Sequence, residues 1–243
     1  MKKLLAATLA AGLAVVAQAA PTVYFGENQT PAGVVSGAPA TARASFLAGL
    51  SGVSSEGFES FRVGTTAPLN LSFTGSGGTL SADLTGLGVI DNSNVFGRFN
   101  TTPGGNRWWD VSGAFGITFG TAVSAFGFYG TDIGDFAGQI TIQLFKETAD
   151  VIPAQALTVA NTVNGRNGSL LFWGFVDRVN AYKKIVFGNT AMGYDGFGFD
   201  DMVIGDPGQV CGANCPTIPE PGSLALAGLA LAGLGLSRRK ASA

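Results

Sequence analysis

The chain has 243 residues, of which 46% are hydrophobic, only 12% are charged and 37 are glycine. Between the basic clusters at its two ends, nine basic residues stand against sixteen acidic ones, a net charge of −7. Such a body disfavours nucleic acid, whose phosphates need a basic face. The absence of histidine excludes catalysis by a His base and metal binding by His ligands.

The chain opens with Met1-Lys2-Lys3, an apolar Leu/Ala/Val run to Val16, and the small-x-small triplet Ala17-Gln18-Ala19. This is the order of a secretory signal peptide, expected over 1–19 with cleavage after Ala19. The other reading, an uncleaved membrane helix, is disfavoured because the run is short for a span of ~20 residues. Residues 20–44, rich in Gly, Pro and Ala, read as a loosely held lead-in. A short helix is expected over 40–50, with Phe46, Leu47 and Leu50 on one side.

Strand signals then dominate a single domain expected over 45–206. In 67–73, Leu69, Leu71 and Phe73 alternate with polar residues, the Gly-rich stretch 75–78 makes a turn, and 80–84 is the return strand. Further strands are expected at 115–119, 123–129, 139–144, 170–176, 181–187 and 197–204. The 139–144 stretch alternates strictly, so one face is wet; 170–176 is apolar on both faces and should lie centrally, covered on both sides. Short strands joined by Gly-rich turns predict an all-β, antiparallel jelly-roll-like β-sandwich.

A linker over 207–218 contains Cys211 and Cys215, which are expected to pair as a small disulfide loop outside the cytosol. The tail, 219–243, begins Pro219-Glu220-Pro221. Its prolines lack N–H donors and resist helix and sheet, which leaves the tripeptide extended for a processing enzyme to grip. An uncharged Ala/Leu/Gly stretch at 222–236 can enter a bilayer as a helix. Arg238, Arg239 and Lys240 in the final 237–243 segment act as a cytoplasmic stop under the positive-inside bias.

The tail resembles the PEP-CTERM sorting signal, in which Pro-Glu-Pro, an apolar helix and a basic end follow in that order. The resemblance implies recognition and cleavage by an exosortase. The same tail is also catalogued as an ice-binding protein C-terminal domain, a label that would describe a sorting tag and imply no ice binding. The segments 126–132, 171–175 and 195–204 resemble a body recurrent on PEP-CTERM proteins and, in pattern, jelly-roll carbohydrate-binding modules.

Four groups are candidates for chemistry. Asp200 and Asp201 lie in a strand with apolar neighbours on both faces. A buried carboxylate there needs a cation, an arginine such as Arg62, or several N–H donors. Similarity to the carbohydrate modules implies a structural Ca²⁺ shared with Glu56 and Glu59, calcium requiring six to eight oxygen ligands. Asp132 and Asp135 either bind a cation or sugar or simply form a turn. Trp108 and Trp109 end a polar loop beginning at Arg98; an exposed indole would stack on sugar, and the alternative is that both pack the core. No Gly-x-Ser-x-Gly, phosphate-binding loop or Cys–His pair is present, and only a carboxylate-pair glycosidase stays open by residue type. The expectation is therefore a non-catalytic exported protein of the cell surface or extracellular matrix. It would leave through the Sec machinery, pass through the inner membrane of a Gram-negative bacterium and be sorted by an exosortase. Its body would bind glycan or exopolysaccharide. A purely structural envelope or biofilm component and a polysaccharide hydrolase are the alternatives.

Overall fold

The computed structural model describes residues 20–210 except Ala32, Val95 and Tyr194. Among them the chain is mostly β. Eleven strands and two helices follow in order: β1 (Thr22–Asn28), α1 (Ala38–Leu47), β2 (Ser55–Glu56), β3 (Leu69–Gly75), β4 (Gly78–Asp91), β5 (Trp108–Val123), β6 (Ala125–Thr131), β7 (Ile140–Phe145), β8 (Gln155–Thr158), β9 (Leu170–Val176), β10 (Tyr182–Asn189), β11 (Phe197–Gly205) and α2 (Pro207–Val210). No described helix is long and apolar enough to cross a membrane.

The β3–β4 hairpin shows how sequence becomes sheet. Leu69, Leu71 and Phe73 are buried on β3, facing Leu84, Ala82 and Leu80 across the ladder. The intervening Asn70, Ser72 and Thr74 are exposed, as a period of two requires. Gly75 pairs with Gly78 to close the turn, and Gly78 adopts φ 129°, a conformation that suits glycine. The sixteen-residue β5 then bonds β4 along its length, β10 through its second half and β11 through Phe197–Phe199.

All the pairings are antiparallel and link the strands in one sheet ordered β1-β9-β6-β11-β5-β10-β7-β8, with the β3–β4 hairpin branching from β5 and β2 from β11. Register shifts interrupt β4–β5, β5–β10 and β6–β11. Such irregularities sharpen local twist, and here the sheet curls around its own apolar face. The abundant phenylalanines fill that curl. Phe199 packs at 4.7 Å against Phe128 and at 5.4 Å against Phe115, which stacks on Phe187 at 4.3 Å.

The strand β9 is buried throughout, as its two apolar faces predict. Leu171, Trp173 and Phe175 join the main core; Leu170, Phe172 and Val176 join a smaller one beneath α1, where Phe46 meets Phe172 at 5.5 Å. The stretch expected as a loose lead-in is instead part of the sheet. β1 bonds β9 over seven residues, and Gly26 approaches the Ala38 carbonyl so closely that a Cβ would collide with it. The helix also starts earlier than its pattern predicts, at Ala38, with Pro39 in its first turn, where a missing N–H costs nothing.

Candidate functional site

In an unbroken β11, Asp201 would share a face with Phe197, Phe199 and Val203. The structure corrects this. On β6, Tyr129 pairs with Asp200 and Gly127 with Val203, so three steps on β11 match two on β6. The extra residue is a bulge, and Asp201 takes φ 47° within it. Phe197, Phe199, Met202 and Ile204 consequently all reach the main core, while the two carboxylates are diverted from it.

Asp200, 1% exposed, accepts from Thr101 N at 2.6 Å, Thr101 Oγ1 at 2.8 Å and Asp201 N at 2.7 Å, with Thr102 N and Oγ1 at 3.2 and 3.3 Å. Burial still raises it to about 7, against those bonds. Asp201 pairs with Arg43 of α1 at 2.8 Å, not with Arg62, which is exposed. Glu56 accepts from Phe58 N at 2.6 Å, and Glu59 Oε1 accepts from Asn106 N and Arg107 N, each at 2.8 Å. The four acids expected to share a Ca²⁺ therefore serve separate donors. Among the described residues no group of three or more acidic or cysteine side chains is arranged for a metal ion. Here the bulge tethers the helix and the 100–102 loop to the sheet.

Trp108 and Trp109 are 1% and 0% exposed. They begin β5, paired with Asp91 and Ile90 of β4, and Trp109 also faces Phe199 of β11. Exposed by no more than 1%, neither indole offers a ring face to a sugar, so both tryptophans are core residues and not glycan contacts.

Asp132 and Asp135 sit at one end of the sheet, where the loops after β1, β4, β6, β8 and β10 converge. Asp132 is 1% exposed at φ 65° and accepts from Gly168 N at 2.8 Å. Arg98 Nε lies 3.7 Å from its other oxygen while Arg98 Nη1 donates to Asp110 at 2.7 Å. Burial raises Asp132 to about 6, its bond from Gly168 opposing and Asp135 adding to the rise. Asp195, 0% exposed, accepts from Gly134 N at 2.8 Å and lies beside the Asp135 carboxyl. Two ionised carboxylates hold only acceptors, so a direct bond between such neighbours would need a proton. Burial foremost, with Asp135 beside it, raises Asp195 to about 7. Oδ1 of Asp135 and of Asp195 are buried without a hydrogen-bond partner.

Above this acidic group lies a cleft of about 380 Å³. Gln29 and Thr30 form one wall, Asn94 and Arg98 a second, Arg166 and Asn167 a third. At its base Gly97, φ 83°, lies against Asp132, Asn167 and Gly168, where any Cβ would collide. Of these residues only Arg98 stands out in the sequence as a candidate. Asn164-Gly165 and Asn167-Gly168, dipeptides that mark turns, are the sequence signal for the third wall.

Cys211–Cys215, Pro219-Glu220-Pro221, the apolar stretch 222–236 and Arg238, Arg239 and Lys240 lie outside the described residues, as does the signal peptide. The sorting residues are matched by comparison with known families: a PEP-CTERM protein-sorting motif covers residues 217–240. No curated protein matches the chain. Among solved structures, the enzymatically active domain of tailspike protein 4 from bacteriophage CBA120 is similar at a TM-score of 0.25 and 14% identity, over 63% of this chain and 19% of the phage chain. A likeness of that size carries no inference about fold or activity.

Proposed function

We propose that this chain, which carries the PEP-CTERM sorting motif and is thereby an exported protein sorted to the cell surface by an exosortase, is a non-catalytic glycan-binding component of the envelope or extracellular matrix. The motif at 217–240 carries the sorting half of the reading. Export through the Sec machinery of a Gram-negative cell accords with the leader pattern at 1–19.

The glycan half is supported by the loop-end cleft, whose walls are amides, a hydroxyl and two guanidinium groups, the hydrogen-bonding set that polyhydroxyl ligands need. The Asp132–Asp135–Asp195 group is an unpromising hydrolase. Asp132 and Asp195 are at most 1% exposed and bonded to loop amides, so neither is placed to meet a glycosidic oxygen. The curled sheet is read as a jelly-roll-like sandwich because its strands enclose one main core and leave a cluster of loops at an end.

Deleting residues 219–243 tests the sorting half. The truncated protein is expected to lose maturation and surface display and to accumulate elsewhere; unchanged surface abundance would refute it. Retention of the secreted body by polysaccharide from the producing cells, in a pull-down, tests the glycan half.

A further inference from the structure

The cleft has features that select among glycans. Arg98, its most buried cation, is engaged by Asp110 at 2.7 Å and lies 3.7 Å from Asp132. It therefore presents N–H groups with its charge already compensated. Asp135 and Asp195 lie beyond Asp132, and the body as a whole is negative. Arg166 is the one cleft cation with no ion pair among the described residues. A polyanion would gain one compensating charge here and meet a negative body around it, an unfavourable long-range field.

The same cleft has unused hydrogen-bonding capacity. Gln29 is fixed through Oε1, which accepts from Arg166 N at 2.7 Å, and its Nε2 finds no acceptor. A buried amide without a partner calls for an explanation, and an incoming hydroxyl oxygen supplies one after a small side-chain adjustment. Thr30, Asn94, Arg166 and Asn167 are all exposed around it.

Just before the cleft residue Gly97, Phe96 is 74% exposed and holds φ 57°, a strained conformation for a bulky residue. The chain thus spends strain to display an aromatic ring next to Gly97 and Arg98 in the cleft. A ring near a set of amide, hydroxyl and guanidinium groups matches a sugar's two surfaces, its C–H face and its hydroxyl edge.

We infer that the cleft lined by Gln29, Thr30, Asn94, Arg98, Arg166 and Asn167 binds a neutral polysaccharide, with Arg166 and Asn167 donating to sugar hydroxyls and the exposed Phe96, which precedes Gly97 in the chain, packing on a ring face. This rests on the glycan-binding reading above and narrows it to one site and one ligand class.

Affinity electrophoresis of the secreted chain through gels containing a neutral glucan, a neutral galactomannan or a polyuronate tests it. Retardation is expected in at least one neutral gel. Combining Arg166→Ala with Asn167→Ala should weaken it about tenfold or more, the scale of a lost charge-assisted hydrogen bond. Phe96→Ala should weaken it by a smaller factor. Both variants alter exposed side chains, so their melting temperatures should match the parent's, and that measurement separates lost binding from lost fold. Retardation by polyuronate alone would overturn the neutral class. Retardation in neutral gels that neither variant weakens would overturn the site while leaving glycan binding intact. Retardation in none of the three, with cell-derived polysaccharide still retaining the protein, would overturn the neutral-glycan assignment; failure of both assays would remove the glycan reading itself.

Discussion

Two buried acidic groups occupy this molecule, and they are solved differently. At the β11 bulge, Asp200 and Asp201 are supplied with backbone amides, threonine hydroxyls and a guanidinium. At the loop end, Asp135 and Asp195 lie side by side and each leaves an oxygen without a hydrogen-bond partner. The first group acts as a fastener between the helix, the sheet and the 100–102 loop. The second sets two carboxyls side by side, an arrangement that protonation of Asp195 eases, so its strength depends on the solution. Full satisfaction marks a carboxylate retained for structure; partial satisfaction beneath a cleft marks a place where the fold tolerates cost.

The largest expected effect lies at the fastener. Asp200→Ala leaves the Thr101 and Asp201 amides without acceptors in a buried site, at about 1–3 kcal/mol for each stranded donor. A loss of at least ~3 kcal/mol in denaturant unfolding is expected; a loss below ~1 kcal/mol would mean that those bonds do not hold the loop. Arg43→Ala comes next. It leaves Asp201 with Ser55 but no counter-charge and removes a guanidinium lying 5.7 Å from the Tyr129 ring. Arg43 is a quarter exposed, so water replaces part of what is lost, and a cost of about 1–2 kcal/mol is expected. If Arg43→Lys restores the stability, charge alone suffices; if it does not, the planar fork matters.

How far these two groups could be read beforehand follows from the range of the interactions involved. Alternation announces β3 and β7, and the doubly apolar β9 announces its central place, because those signals are local. The edge strand β1 is half-exposed and lies in a Gly- and Pro-rich stretch, so nothing local distinguishes it from a linker. That Asp200-Asp201 must be handled somehow is legible from two acids among Phe, Met and Ile. The bulge is not, since it depends on which β6 residues stand opposite. Nor is the choice of Arg43 over Arg62, a contact across more than a hundred residues that exists only once α1 docks on β9. Trp108 and Trp109 follow the same logic: their composition fits a binding loop or a core, and only their burial in the assembled sheet decides for the core. The cleft is the least legible feature, because three loops far apart in the chain build it.

Titration separates the groups next. Asp132, Asp195 and Asp200 are raised from 3.8 to about 6, 7 and 7. Between 3.8 and those values the folded protein binds more protons than the unfolded chain, so stability falls as pH rises through that window. Asp177 and Asp206 shift the other way. Burial pushes each up, but bonds from Tyr182, Asn180 and Val179 outweigh it at Asp177, and bonds from Ser76, Gly208 and Gln209 at Asp206. Their contribution is present above 3.8 and is lost as pH falls through their depressed values. The melting temperature should therefore peak on the acid side of neutrality and decline between about pH 5 and about pH 8. A rise over that interval would contradict the raised values.

The smallest effect is the one that best separates the two acidic groups. Asp195→Asn keeps an oxygen for the Gly134 amide and replaces the proton that the raised Asp195 holds with a permanent N–H donor beside Asp135. Near pH 5, where the carboxyl pair already holds its proton, the substitution should change stability by no more than about 0.5 kcal/mol. Near pH 8 the parent has lost that proton, two carboxylates face each other, and the variant should be the more stable protein. Asp200→Asn also removes a charge that is costly to bury, but here the loss is larger than the gain. Its nitrogen would replace one of two oxygens that both accept hydrogen bonds, from Thr101 on one side and Asp201 on the other, so it should destabilise at either pH. Curves of melting temperature against pH for the two variants should thus diverge on the alkaline side. If both aspartates respond alike, the distinction between a satisfied fastener and a proton-dependent tie fails.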